Sequence, residues 1–320
     1  MHMTLRYPSE KRKAFRGKPS KLSGGFLRHW QLYLMILPAL LYILLFHYGP
    51  MYGITIAFKN FSMRKGILGS PWIGFENFER LFSSYWFPII LRNTLTISLL
   101  SLVISFPFPI LIALMVNELE NKTASKVFQT VSYAPHFIST IVLCGMVVLF
   151  LNPSTGMINR LIIALGGEAV YFMAKPGLFK WVYVLSGVWQ STGWGTIIYV
   201  AALSGVDKSL VEASRLDGAN ILQKIWYIHV PVLMPTIITL FILQCGSLFS
   251  VGYEKVYALQ TSQNLMGSEV ISTYSYKVGL GEGSDFSFST TVSLFNSVCN
   301  SLILIAANRL ARTAGQSGLW

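Results

Sequence analysis

Six long apolar stretches limit what this chain can fold into more than any other feature of its sequence. A sliding window of about 20 residues, the length that spans a bilayer as a helix, finds them at 30–57, 89–116, 128–151, 179–203, 230–250 and 289–307. Hydrocarbon offers no water to the backbone, so each stretch must satisfy its own amide groups by forming a helix. The sequence therefore predicts an all-α, polytopic membrane protein with six transmembrane helices.

The composition agrees with a surface that faces lipid. Hydrophobic residues make up 53% of the 320 residues and charged residues only 12%, whereas soluble domains carry roughly 25% charged residues. A water-facing surface could not be covered with so few charges. Most of the surface is therefore expected to lie in a membrane.

The distribution of basic residues predicts the orientation of the spans. The net charge is +12, and residues 1–29 hold eight Lys and Arg against a single acid, Glu10. With the N-terminus inside, the inner segments carry 15 basic residues in 79 positions and the outer segments carry 8 in 96. Because cytoplasmic loops are enriched in Lys and Arg, both termini are expected in the cytoplasm, with 1–29 as a basic cytoplasmic tail.

Motifs for catalysis, nucleotide binding and metal binding are absent from the sequence. It contains no GxxxxGK[ST], HExxH or GxSxG pattern, its histidines lack a second ligand at helical spacing, and its three cysteines lie far apart in apolar stretches. The spans hold almost no acidic residue, whereas ion-coupled carriers use intramembrane carboxylates. These features argue against an enzyme and a secondary transporter. We expect no catalytic residue, metal site or bound cofactor, and no nucleic-acid partner.

The loop before the fifth span has a charged helical pattern. Residues 206–235 read VDKSLVEASRLDGANILQKIWYIHVPVLMP. Asp207 or Ser209 can cap a helix through SLVEASRLDGA, and Gly218 can end it. The pattern is open to two interpretations, a helix–turn–helix lying on the inner leaflet or a docking helix for a cytoplasmic partner.

This loop resembles the EAA motif of ABC importer permeases. Glu212, Ala213 and Ser214 stand at the EAA positions, Gly218 at the motif's glycine, and Ile228, Val230 and Pro231 at its closing I-x-L-P. Ser for the third Ala and Val for Leu are departures that conserve size. The resemblance implies a coupling helix within 206–229 that seats in a cleft of an ATPase subunit. The residues it assigns to ATPase coupling are Glu212, Ala213, Ser214, Arg215, Asp217 and Gly218.

The resemblance extends from about residue 30 to 320. Segments such as SYAPHFIS (132–139), GWGTIIYVAALSGVD (193–207) and ANRLARTAGQSGLW (307–320) are similar to carbohydrate permeases of the polysaccharide or lipoprotein-type branch, which includes alginate and pectin-fragment importers. This likeness implies a type I ABC importer permease fold, with residues 30–320 as the transmembrane permease domain in the bacterial cytoplasmic (inner) membrane.

The resemblance also implies the partners. A second homologous permease would form the other half of the translocation pathway, and an ATPase subunit dimer would use ATP and Mg. An extracytoplasmic solute-binding protein would deliver an oligo- or polysaccharide, and membrane lipid would surround the spans. The alternatives are a permease of the same class for a non-sugar solute (amino acid, polyamine or phosphate) and a secondary transporter.

Candidate substrate-binding residues lie on the last three spans. Saccharide sites combine aromatic platforms with amides and hydroxyls, and Gln190 stands one turn from Trp194 on the fourth span. Substrate contacts of maltose-type permeases, counted from the EAA glutamate, correspond to Ser191, Trp194, Gln244, Leu248 and Val251. Asn296 is a further candidate on the sixth span. The alternative is that these amides and hydroxyls only bond helices together.

Two basic residues stand at the predicted outer ends of spans. Arg92 begins the second span and Lys180 begins the fourth. Either could extend to lipid headgroups. Alternatively, the two could attract an anionic oligosaccharide such as a polyuronide, an effect that salt would screen.

Overall fold

The computed structural model describes residues 30–281, 284–315 and 318–320, so the predicted tail, 1–29, lies outside the described residues. Within these ranges all regular structure is helical, apart from one antiparallel bridge between Lys59 and Trp72. The chain divides into two compact units, Met1–Gly53 and Ile54–Trp320. The predicted all-α class is confirmed.

In the described part of the first unit, α1 (Trp30–Ile43) continues through a π-helical turn at Leu44–Tyr48 into a short α-helical turn, Gly49–Met51. A 3-10 helix, Tyr52–Phe58, leads into the second unit. The remaining helices are α2 (Gly66–Gly69), α3 (Glu76–Phe82), α4 (Trp86–Ser105), α5 (Pro107–Asn117), α6 (Lys122–Tyr133), α7 (Thr140–Phe150), α8 (Met157–Ala164), α9 (Pro176–Leu203), α10 (Lys208–Leu216), α11 (Ile221–Lys224), α12 (Val230–Cys245), α13 (Tyr253–Leu259), α14 (Leu265–Ser268), α15 (Ile271–Leu280) and α16 (Phe286–Thr313).

Four helical segments of the described chain are long and apolar enough to cross a membrane. They are Trp30–Phe58, Trp86–Asn117, Ile221–Cys245 and Phe286–Thr313, and a bent pair made of α6 and α7 would add a fifth. Helix α9 has 28 residues, but Lys180, Gln190 and its Gly, Ser and Trp residues dilute its apolar character. The count of six spans and the cytoplasmic position of both termini stay predictions.

The predicted third span, 128–151, is not one straight helix. A 3-10 turn at Ala134–Phe137 ends α6, and the α6 and α7 segments meet at an angle of 98°. Pro135 has no backbone N–H to continue the ladder. Ser139 then starts a new helix, because its hydroxyl accepts a hydrogen bond from the Val142 N–H. A proline inside the stretch predicts a kink, and the structure places a sharp bend directly after Pro135, so the stretch forms two helices.

Helix α9 is the central element of the second unit and packs most extensively against α5 and α4. Near its start, Phe179 and Val182 belong to a buried cluster with residues of α4, α7 and α13. At its other end, Tyr199 and Leu203 belong to a separate cluster with α5 and α12. At 1.5 Å per residue the helix is about 42 Å long. The two clusters therefore lie near opposite ends of this helix.

A glycine allows α9 to approach α6 closely. A Cβ added at Gly193 would lie 1.9 Å from the backbone oxygen of Ser132. No side chain fits at such a distance, so this crossing requires glycine. It brings the bend after α6 against the middle of α9.

Candidate functional site

Helix α10 is a short, solvent-facing helix with a well-defined start. The Oδ1 atom of Asp207 accepts a hydrogen bond from the backbone N–H of Ser209 at 2.9 Å, so Asp207, and not Ser209, is the cap of the two that the sequence allowed. Hydrogen bonds from the backbone and hydroxyl of Ser209 hold the pKa of Asp207 below its ordinary value. No residue of α10 is buried, and Glu212, Ala213 and Arg215 are exposed. The helix is available for contact with a partner.

A glycine in the left-handed conformation ends α10. Gly218 has a φ of +77°, which a residue with a Cβ adopts only with strain. The N–H groups of Gly218 and Ala219 donate to the carbonyl oxygens of Arg215 at 3.1 Å and Ser214 at 2.9 Å, which is the Schellman pattern. Asp217 precedes the turn and is exposed. The turn predicted at Gly218 is confirmed, and it sets the direction in which the chain leaves the helix.

A buried charged cluster anchors the segment that follows α10. Lys224 donates to one carboxylate oxygen of Glu118 at 2.7 Å, and the other carboxylate oxygen lies 2.9 Å from Nε2 of His229. The three side chains are 7%, 13% and 2% exposed. The sequence predictions did not include this cluster, although the acids at the end of one span and the Lys and His before another are visible signals. It connects the end of α5 to the start of the fifth predicted span.

A charged groove of about 350 Å³ runs between α10 and the turn after α5. Its lining includes Lys208, Glu212, Arg215 and Glu120. Arg215 and Glu120 approach to 3.5 Å, with side chains 58% and 83% exposed. An exposed pair of this kind contributes roughly 0–1 kcal/mol. Arg215 and Glu120 can therefore exchange this pair for charges of a partner at little cost.

A cavity of about 420 Å³ brings three of the predicted substrate residues together. Ser191 and Trp194 reach it from α9, and Gln244 reaches it from α12. The opposite wall comes from the α4–α5 junction, with Phe106 and Pro109. An aromatic ring, a hydroxyl and an amide thus share one partly apolar cavity, the combination that saccharide sites use.

Trp194 is held by aromatic packing on one side. His136 stacks on its ring with centroids 4.5 Å apart and planes 6° apart, and Phe137 meets it edge-on at 6.0 Å. The indole nevertheless stays 47% exposed. One face is fixed by the bend after α6, and the rest of the ring is available to a ligand.

The other predicted substrate residues lie elsewhere. The Gln190 amide donates to the backbone oxygen of Ile138 at 2.9 Å, so it bonds α9 to the bend between α6 and α7. Leu248 packs with the apolar cluster around Phe249. The Oδ1 atom of Asn296 is buried and has no hydrogen-bond partner within the described ranges. None of the three lines the cavity, and their substrate role stays a prediction.

The part of the chain that the structure describes contains no group of three or more His, Cys, Asp or Glu residues placed to hold a metal ion. The cavities are lined instead by apolar, amide, hydroxyl and basic side chains.

Comparison with known families decides what these features belong to. Residues 105–313 match the family described as "Binding-protein-dependent transport system inner membrane component". This match covers α5 to α16, including α10 and the cavity on α9 and α12. The chain belongs to this family. Members are components of the inner membrane, in agreement with the apolar helices of the fold.

Similar proteins extend the match to nearly the full length. The polygalacturonan/rhamnogalacturonan transport system permease protein YteP of Bacillus subtilis is 40% identical over 303 residues, which cover 95% of this chain and 94% of that protein. Protein LplB of Bacillus subtilis is 38% identical over 304 residues and covers 95% of each chain.

A solved structure shares the fold. A chain in the crystal structure of a bacterial alginate ABC transporter, in complex with a periplasmic protein that holds an alginate pentasaccharide, superposes with a TM-score of 0.86. It is 38% identical, and the match covers 93% of this chain and 99% of that one. The type I importer permease fold predicted from the EAA loop is therefore confirmed.

Proposed function

We propose that this chain is a transmembrane permease subunit of an ATP-driven, binding-protein-dependent importer of oligo- or polysaccharide. The observation that carries the saccharide assignment is the cavity in which Ser191, Trp194 and Gln244 meet. The names of the similar proteins give polygalacturonan, rhamnogalacturonan and alginate as what their systems transport, and all three are saccharides.

The cavity suits a sugar ring by its mixed lining. A pyranose has apolar C–H faces that pack on aromatic rings and hydroxyls that bond amides. The exposed part of the Trp194 indole offers the ring surface, and the Gln244 amide offers both a donor and an acceptor. His136, stacked behind the indole, fixes its plane, so the platform does not have to be ordered when the sugar arrives.

Helix α10 is proposed to dock the ATPase. Its charges are exposed and the left-handed glycine turn fixes its end, while the Glu118–Lys224–His229 cluster holds the segment after that turn to α5. A helix seated in a partner's cleft can transmit movement only if the segment that attaches it to the rest of the protein stays rigid. The buried cluster keeps that segment in place.

The proposed roles of the subunits follow from this arrangement. This chain forms half of the translocation pathway with a second homologous permease, which would cover the exposed side of the cavity. ATP and Mg are bound by an ATPase dimer and not by this chain, which has no catalytic role of its own. An extracytoplasmic binding protein delivers the saccharide.

The test compares uptake with hydrolysis in vesicles that contain the complete transporter. Trp194→Ala combined with Gln244→Ala should lower saccharide uptake at least about tenfold, the effect of roughly 1.4 kcal/mol of lost stabilisation. ATP hydrolysis should fall far less, because α10 is untouched. Trp189→Ala is the matched control, since Trp189 lies on the same helix, is 49% exposed and does not line the cavity. Equal uptake by the double variant and the control would contradict the proposal.

A further inference from the structure

A second cavity, of about 480 Å³, lies among the first turns of α4 and α9 and the short helix α14. Its lining includes Arg92 and Asn93 from α4, Lys180 from α9, and Met266. Asn93 fixes this wall by donating to the backbone oxygens of Met266 and Glu269, at 3.0 Å and 2.9 Å. The cavity therefore has ordered walls formed by three separate parts of the chain.

The cavity lies at the end of the fold away from the docking helix. Helix α9 begins beside it at Pro176 and ends at Leu203, which lines the charged groove next to α10. These points are about 42 Å apart along the helix, more than the hydrocarbon thickness of a bilayer. If α10 meets an ATPase on one side of the membrane, the cavity opens toward the other side.

The charges in this cavity are of one sign and are not paired with any acid of the described residues. No acidic residue lines it, and neither Arg92 nor Lys180 forms an ion pair with any residue that the structure describes. Glu269, two residues after the lining residue Gly267, is buried, and its carboxylate is paired with Lys277 and bonded to Thr273. The positive field of the two basic side chains is thus not cancelled locally.

The helix end beside the cavity adds to this field. Pro176 and Gly177 of the first turn of α9 line the cavity together with Lys180. No side chain caps this turn, and a helix of 28 residues carries a partial positive charge at its start. An anion in the cavity would meet this helix end as well as the two basic side chains.

We propose that this cavity, the outer cation pocket, binds the carboxylate groups of an acidic oligosaccharide as it enters the transporter. The proposal rests on the function proposed above and deepens it by naming the substrate class, a uronate-containing saccharide. Arg92 and Lys180 bind the carboxylates. The Thr96 hydroxyl and the apolar Pro88 and Ile89 are placed to contact the sugar ring.

The lining favours a saccharide over a lipid headgroup. A headgroup needs only a cation at the bilayer surface, which a single Lys or Arg provides by extending its side chain. The outer cation pocket instead encloses a volume bounded by amide, hydroxyl and apolar groups as well as by two cations. Such mixed walls match a sugar that carries charge, hydroxyls and C–H faces together.

The experiment uses the complete transporter in vesicles, with an oligogalacturonate of defined length as the charged probe and its methyl-esterified form as the neutral one. Arg92→Gln with Lys180→Gln should raise the half-saturating concentration of the free acid about tenfold and flatten its salt dependence. The ester, where it is imported, should be unaffected. Arg92→Lys with Lys180→Arg should retain wild-type behaviour. Arg64→Gln with Lys65→Gln removes the same charge from exposed residues outside the pocket and serves as the control.

Each other outcome overturns the proposal in a recognisable way. An unchanged half-saturating concentration for the free acid would show that the pocket does not bind carboxylate. Equal shifts of the half-saturating concentration for acid and ester would indicate that the substitutions disturb the contact with the binding protein or the packing of the helices. A shift seen only in vesicles with anionic lipid would identify a headgroup site. Failure of the wild type to import either probe would overturn the acidic substrate class, whereas saccharide import itself is tested by the Trp194 and Gln244 variant.

Discussion

Removing the charge of Glu118 should destabilise residues 221–229, the segment that attaches the docking helix α10 to the fifth predicted span. In Glu118→Gln the shape of the side chain is kept, but Lys224 loses its only carboxylate partner among the described residues while only 7% exposed. Breaking a buried ion pair by removing one partner costs roughly 3–5 kcal/mol. Because glutamine still offers an acceptor oxygen, we take about 3 kcal/mol, the lower end of that range.

The measurement is amide hydrogen exchange on the purified transporter. If residues 221–229 open locally, about 3 kcal/mol corresponds to exchange that is faster by roughly 150-fold. Amides in the middle of α9 should keep their protection, because the cluster contacts only one end of the fold. ATPase stimulation by the loaded binding protein should fall together with the protection of this segment.

Two further variants test whether the buried ion pair holds this segment. Glu120→Gln removes a neighbouring carboxylate whose pair with Arg215 is exposed. In this variant the amide exchange of residues 221–229 should change by less than about fivefold, as expected for at most 1 kcal/mol. Glu118→Gln combined with Lys224→Met removes both charges and should restore much of the protection. If Glu118→Gln behaves like Glu120→Gln, the cluster does not hold the segment.

Three other substitutions test the coupling turn and the helix crossing. Glu212→Lys reverses a charge exposed on α10 and should abolish ATPase stimulation and copurification while the helices stay folded; unchanged stimulation would contradict the docking role. Gly218→Val forces a Cβ into a left-handed turn and should cost about 1 kcal/mol or more, lowering transport but not membrane insertion, whereas Gly218→Asn should be better tolerated. Gly193→Ala should lower the melting temperature in a thermal unfolding assay, because its Cβ would meet the Ser132 backbone oxygen. Gly145→Ala, with no atom within 4 Å of its added Cβ, should melt close to the wild type, and similar melting of the two variants would refute the packing argument.

Several features could be predicted from the sequence because they depend on local chemistry. The scarcity of charge requires a surface in lipid and therefore helices. Asp207 is placed to cap α10, and Gly218 is placed to end it, because both effects act within four residues of the chain. The family could be identified from the EAA loop for the same reason, because the motif consists of residue types at fixed spacings within one short stretch of sequence.

Contacts between distant parts of the chain were decided only by the tertiary structure. Helical periodicity placed Gln190 and Trp194 on one face, but it could not show that this face meets the bend at His136 and Ile138. The cluster of Glu118 with Lys224 and His229 joins residues more than 100 positions apart. Arg92 and Lys180 likewise share a cavity only because α4 and α9 begin side by side. A helix's sequence fixes which residues share a face, whereas the neighbour that covers that face depends on how all the helices pack, as with α6 and α9 at Gly193.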